Sequence, residues 1–183
     1  VSQINIQRHR TEIGEVLLGS FGGKLCWLGF GGRETRKTVD DRIKKVLNAQ
    51  SVEQDDEVLK KTRSQLDEYF RGLRRKFDIP LLLVGTGFQK SVWSALMKVP
   101  YGHTSTYLQI AEDIGNERAV RAVGNANAAN PISIIIPCHR IIGSRGQLVG
   151  YGGGLSLKRR LLELEQKNAC ARDRQVQILK RYK

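Results

Sequence analysis

The chain has 183 residues, 40% hydrophobic and 27% charged, enough for one generous domain or two small ones with a packed core, and a balance that excludes wholesale disorder and low complexity. Lys and Arg number 31 against 18 Asp and Glu, a formal charge of +13, so a polyanion is the first partner to test, against the plainer reading of a solubilising surface. Three cysteines at long, irregular spacing, Cys26, Cys138 and Cys170, make a poor disulfide framework and fit the cytosol, or the nucleus of a eukaryote.

The chain opens on Val1, as a processed form or a piece of a longer protein would, and no signal-peptide or bilayer-length apolar run follows. Ile13 to Phe30 predicts a β-hairpin about Phe21-Gly22-Gly23-Lys24, since paired glycines supply the positive φ of a tight turn. Val39, Ile43, Val46 and Leu47 predict one amphipathic helix, and Leu59, Leu66, Tyr69, Phe70 and Leu73 a second, with Ser51 to Glu57 as an acidic linker. Ile79 to Val84 suits a strand or extended connector. The boundary is placed at Gly85 to Gly87, giving an α/β domain over 1–86 and a helical domain over 87–183.

In the second domain Phe88, Val92, Ala95, Leu96 and Val99 share a helical face that Pro100 ends. Tyr107, Ile110, Ala111 and Ile114 mark the next helix, behind Thr104 or Ser105 as caps and closed by Gly115. Asn116 is placed as the following cap, and Ala119, Ala122, Val123 and Ala126 as the inward stripe of a third helix, completing a helix-turn-helix candidate. Its outward face, Arg121, Gly124, Asn125 and Ala128, offers one long cation among very small side chains. That shape suits close backbone approach to a minor groove better than base reading in a major groove. The plainer alternative is a small-residue helix packed inside the protein.

Ile132 to Ile136 predicts a buried strand ending at Pro137-Cys138-His139-Arg140. A cysteine after an apolar run is most often inert packing. Here Pro137 fixes the chain, Asn130 can bond the turn, and His139 can draw a proton from the thiol, through a water because adjacent residues cannot easily face each other. In the helix from Leu155 to Glu165, Leu157, Leu161 and Leu164 define the buried face, with Glu165 on its flank as the carboxylate to orient His139; the plain alternative is an exposed helix-end carboxylate.

The run Ile136 to Ile141, preceded by Arg121-Ala122-Val123-Gly124 and Asn130-Pro131, resembles the O6-alkylguanine-DNA alkyltransferase family. The resemblance extends from Phe88-Gln89, Val92-Trp93, Pro100-Tyr101-Gly102 and Thr106-Tyr107 to Tyr151, Gly153-Gly154-Leu155, Lys158, Leu161-Leu162 and Glu165. It implies an α+β fold: a ribonuclease-H-like sheet domain, then a mostly helical, winged-helix-like DNA-binding domain. It also implies repair of double-stranded DNA by irreversible, single-turnover transfer of an alkyl group from O6-alkylguanine to Cys138, with O4-alkylthymine as a further candidate substrate.

In that scheme Arg121 fills the gap left by the everted base, Tyr107 donates a proton to the leaving guanine, and backbone groups of Cys138, Ile141, Tyr151 and Gly152 line the pocket. Gly152 stands where relatives often carry a larger residue, which implies room for adducts beyond methyl. No cofactor is implied, and Cys26 with His9 makes no zinc set. The expected protein is a monomer without membrane contact. Arg172, Arg174, Lys180, Arg181 and Lys183 are candidate phosphate contacts, with a disordered tail equally compatible. Two alternatives stay open: a lesion sensor without chemistry, and a cysteine hydrolase, which would leave the Arg121 helix unexplained.

Overall fold

The structure, a computed structural model, describes residues 2–31 and 34–181, and side chains within 2–31 and 37–171. The paired glycines turn as the sequence suggests: Gly22 and Gly23 have φ of 56° and 74° and join β2 (Gly14–Phe21) to β3 (Lys24–Phe30). β1 (Ser2–Thr11), which carries no clear sequence signal, pairs antiparallel with β2. The segment expected to be a linker, Ser51 to Glu57, instead begins within β4 (Ala49–Glu53), parallel to β1, so the sheet order is β3-β2-β1-β4. Its polar sequence suits an edge strand, which buries little.

Alternation sends Val16 and Leu18 to one side of the sheet and Leu17 to the other. An irregularity in the pairing at Gly19/Ser20 inserts an extra residue in β3, so Leu25 and Leu28 share a face despite their odd spacing. That face packs on α2 (Glu57–Phe70), through Leu59, Leu66, Tyr69 and Phe70; Ile4, Leu17, Cys26 and Trp27 pack with Val39 and Ile43 of α1 (Glu34–Leu47).

Two expected core residues lie outside. Val46 is 64% exposed because the contact line through Val39, Ile43 and Leu47 drifts round the helix and leaves it on the flank. Leu73 is 71% exposed because α2 stops at Phe70: Gly72 takes φ 73°, and the N–H groups of Gly72 and Leu73 return to Tyr69 and Glu68 carbonyls. This Schellman stop overrides the apolar periodicity.

Residues 79–84 form an extended connector beside β3, with Leu25 N–H bonded to Pro80 O and Leu82 N–H to Leu25 O. α3 (Gly87–Leu96) and α4 (Tyr107–Asp113) each begin with a capping box, Thr86/Gln89 and Thr106/Gln109. The α4 cap is therefore Thr106, not Thr104 or Ser105. Asn116 makes no side-chain cap; a 3-10 turn, Glu117–Ala119, leads into α5 (Val120–Ala128). That tighter turn resets the helical phase, so α5 buries Val123, Ala126 and Asn127 and leaves Ala122 exposed, correcting the expected stripe. α6 runs from Leu155 to Arg181; the side chains of Arg172, Arg174, Lys180 and Arg181, and all of Lys183, lie outside the described residues.

The expected strand over 132–136 does not form. Only Ile132 pairs, bridging Leu28 of β3 through Leu28 N–H to Pro131 O and Ser133 N–H to Leu28 O. The chain then folds back in a tight turn, with Ile134 at φ 71°, a conformation that costs a β-branched residue energy, and Ile136 N–H on Ile132 O. The sheet edge thus holds the turn that precedes Cys138.

Leu28→Ala, which empties a fully buried position at this junction, should cost about 2–5 kcal/mol, whereas Val46→Ala should stay within about 0.5 kcal/mol. Urea unfolding midpoints check both, and equal losses would contradict the packing described.

Candidate active site

The turn before Cys138 is clamped by one side chain. Asn130, buried, donates from Nδ2 to Ile136 O at 2.8 Å and accepts the Ile132 N–H at Oδ1, 3.0 Å. These bonds take the place of strand pairing and stabilise the left-handed turn. Cys138 then opens a 3-10 turn, Cys138–Arg140, that is buried throughout. Burial pushes the Cys138 thiol above its ordinary value, opposed by a hydrogen bond from Asn130 and the nearby charge of Lys158. The resting side chain is a neutral thiol.

Glu165 is fully buried rather than on the helix flank. Its Oε1 accepts from Tyr69 Oη at 2.7 Å, His139 Nε2 at 2.8 Å and Arg140 Nη2 at 2.9 Å; Oε2 accepts from Arg140 Nε at 2.9 Å and Gly102 N at 3.3 Å. Burial alone would raise this carboxyl, but hydrogen bonds from His139 and Arg140 and the charge of the Arg140 guanidinium outweigh it and hold the group far below the usual carboxylate range. Burial also lowers His139, against the pull of Glu165, so the imidazole is neutral. A neutral ring donating Nε2–H to a carboxylate carries its lone pair on Nδ1, which is buried and hydrogen-bonded to no protein atom.

Lys158 is the second buried charge. Its Nζ donates to Ile141 O, to Val149 O at 2.8 Å and to Gly150 O at 3.4 Å. Burial brings it down to about 8, partly offset by the proximity of Cys138. The Tyr107 hydroxyl donates to the same Val149 carbonyl at 3.1 Å, and burial, then the nearness of Cys138, raises it. Lys158 and Tyr107 together pin the segment leading to Tyr151.

A cavity of about 60 Å³ lies against this turn. Cys138, Asn130, Ser133, Tyr151 and Gly152 line one side; Trp27, Phe30 and Val39, from the sheet domain, contribute the other. The structure therefore brings Cys138, Asn130, Tyr151, Gly152 and Ala128 to one cavity, and His139 with Glu165 behind it. Ile141 is buried with both backbone groups engaged, its N–H on Cys138 O and its carbonyl on Lys158, and lies outside the lining. A Cβ at Gly152 would meet nothing within 4 Å.

Arg121, Asn125 and Ala128 are exposed along α5, and Gly124 lies under Tyr107, where a Cβ would stand 3.9 Å from the ring. Tyr69 and Arg140 join the site although the sequence reading assigned them no role in it, and Lys158 joins it as more than a position of resemblance. A signal for Lys158 exists in the chain, since it falls seven residues before Glu165 on one face of α6; nothing local marks Tyr69. His9 bonds Asp67 at 2.7 Å, and no group of three or more His, Cys, Asp or Glu suited to a metal occurs among the described residues.

Two family profiles match the chain: the ribonuclease-like domain of 6-O-methylguanine DNA methyltransferase over residues 9–83, and its DNA binding domain over 87–167. A methylated-DNA–protein-cysteine methyltransferase of Methanosarcina acetivorans is 51% identical over 155 residues, covering 85% of this chain and 94% of that protein. One of the same name from Mycobacterium leprae is 59% identical over 103 residues, 56% of this chain and 62% of its own. Among solved structures, Mycobacterium tuberculosis OGT in complex with DNA superposes with a TM-score of 0.77 at 40% identity, covering 90% of this chain and 94% of that one.

Replacing Glu165 by Gln strands the Arg140 guanidinium without its counter-charge and should cost about 3–5 kcal/mol at neutral pH. Acid should also destabilise the wild type. As pH falls below 6.5 the unfolded histidine binds a proton that folded His139 refuses, and below 4.5 the unfolded carboxylate does the same relative to Glu165. Urea midpoints from pH 7 to 4 should fall in the wild type, and the decline below pH 4.5 should be shallower in Glu165→Gln.

Proposed function

The chain belongs to the methylated-DNA–protein-cysteine methyltransferase family of DNA-repair proteins, and we propose that Cys138 is its alkyl acceptor, drawing on O6-alkylguanine everted from duplex DNA. The observation that carries this is the thiol on a cavity wall, next in the chain to an imidazole whose free nitrogen is bare and whose other nitrogen is fixed by Glu165.

Eversion is required because a stacked base cannot present its alkyl carbon to a buried sulfur. The proton of Cys138 passes to His139 Nδ1 through a bridging water, and Lys158 together with Asn130 supports the thiolate that results. Sulfur attacks the alkyl carbon, the S–C bond forms as the C–O6 bond breaks, and the electron pair leaves with guanine. Tyr107, released from Val149 O, donates its proton to the leaving base, and the proton held by the imidazolium then restores the Tyr107 phenol through water, so the net exchange is a thiol hydrogen for an alkyl group. The thioether has no leaving group that would regenerate the thiol. One molecule repairs one lesion.

Arg121, Asn125 and Ala128 on the exposed face of α5, with Gly124 set deeper, suit a minor groove, Arg121 filling the place of the everted base. The backbone at Tyr151 and Gly152 borders the base and its adduct, with Ile141 supporting the floor through Lys158. Gly152 leaves the mouth open to adducts larger than methyl. The working division is a sheet domain over 1–86 and a DNA-binding and acceptor domain over 87–183. None of the described helices is long and apolar enough to cross a membrane; we place the protein as a monomer in the cytosol, or the nucleus of a eukaryote.

Mixing the protein with a duplex carrying O6-methylguanine should add one methyl in place of one proton, mapped to Cys138, and a Cys138→Ser variant should gain nothing; lesion binding without a mass change would favour a sensor instead. Rates should separate the other roles. Arg121→Ala should slow transfer from duplex DNA by about tenfold or more while sparing reaction with free O6-benzylguanine. Gly152→Ser should lower the benzyl-to-methyl rate ratio by about tenfold; an unchanged ratio would remove Gly152 as a size filter.

A further inference from the structure

Tyr69 belongs to α2 of the sheet domain, 96 residues before the carboxylate it touches. Its ring is part of the core, with centroids 5.2 Å from Phe70, 5.6 Å from Phe77 and 6.0 Å from Tyr101. Phenylalanine would fill that space equally well. The hydroxyl is the costly part, since burying it without a partner is unfavourable, and its partner is Glu165 Oε1, 2.7 Å away with both residues at 0% exposure. Charge neutralisation does not explain it, because Arg140 already supplies two N–H groups to that carboxylate and the Gly102 backbone a third. The hydroxyl instead shares Oε1 with His139 Nε2 and Arg140 Nη2.

We propose that Tyr69 is a positioning residue for the transfer reaction: by occupying Oε1 beside His139 it limits how strongly Glu165 holds the imidazole N–H, and so sets how readily His139 takes the Cys138 proton. This rests on the acceptor role proposed for Cys138. Tyr69 itself neither gains nor loses a proton. It orients Glu165, and an acceptor oxygen that serves three donors, Tyr69, His139 and Arg140, pulls less on each than one that serves two. The sheet domain is thereby part of the proton-accepting assembly as well as one wall of the cavity.

The charged and titratable groups around His139 are Tyr69 on α2; Cys138 and Arg140 on its own turn; Lys158 and Glu165 on α6; the buried Tyr151, which feels both Cys138 and Glu165; and, beyond Arg140, Tyr101, whose ring also faces Arg75. Of these, Tyr69 can lose its polar contact without altering net charge.

The test is Tyr69→Phe in the full chain, followed by NMR titration of the His139 ring, assigned by its absence in His139→Gln, and by the pH dependence of methyl transfer to Cys138. The His139 midpoint should rise by about one pH unit, and the acid limb of the rate profile should move with it. Fluorotyrosine at position 69, a stronger donor of nearly the same shape, should move the midpoint down. An unmoved midpoint in both proteins, or a uniform loss of rate with an unmoved limb, overturns the proposal and leaves Tyr69 as packing. Should the wild type accept no methyl group, the acceptor role of Cys138 fails, while the NMR midpoint still decides what Tyr69 does to His139.

Discussion

A single buried carboxylate organises this molecule. Glu165 receives five hydrogen bonds from four residues, supplied by α2, the segment before α4 and the Cys138–Arg140 turn, and Arg140 in turn bonds the carbonyl of Val99. A buried charge is tolerable only when it is paired and its lone pairs are filled. Because the donors come from widely separated parts of the chain, they can be supplied only when the sheet domain and the helices of the second domain have docked. The energetic need of one carboxylate thus becomes a condition on the tertiary arrangement.

Around that centre, reactivity is kept in reserve. Burial keeps the Cys138 thiol protonated and the His139 imidazole neutral, while Lys158 carries a positive charge close to the sulfur at a pKa brought down to about 8. Under the acceptor role proposed for Cys138, a resting thiolate would be a liability, since the thiolate is the form attacked by oxidants and stray electrophiles.

The path from sheet to sulfur is mechanical. β3 bonds the connector at Leu25 and the Asn130–Ile136 turn at Leu28; Asn130 closes the turn, and Cys138 leaves it in a fixed direction. Trp27, Phe30 and Val39 line the same cavity as Cys138. The sheet domain carries none of the residues assigned to bond-making, yet it bounds the space in which a substrate adduct would sit.

The sequence by itself determined the hairpin at Gly22-Gly23, the helices bearing apolar stripes, the Arg121 face, and the grouping of Asn130, Cys138, His139 and Glu165, because turn chemistry, helical period and short motifs are local properties. It misleads at Ile132 to Ile136, where apolar composition says strand but Asn130 offers the backbone a better set of bonds, and it hides β4, whose polar residues carry no strand signal until β1 lies beside them. Glu165 is legible as a partner for His139 but not as a buried group, since a lone carboxylate on a helix reads as exposed until its donors are known. Only the tertiary structure decided that Tyr69 and Arg140 belong to the site and that Lys158 is a buried charge there, for the physical reason that a buried charge is stabilised by whichever groups packing brings to it, and packing joins groups such as Tyr69 and Glu165 across distances in the chain that no local pattern records.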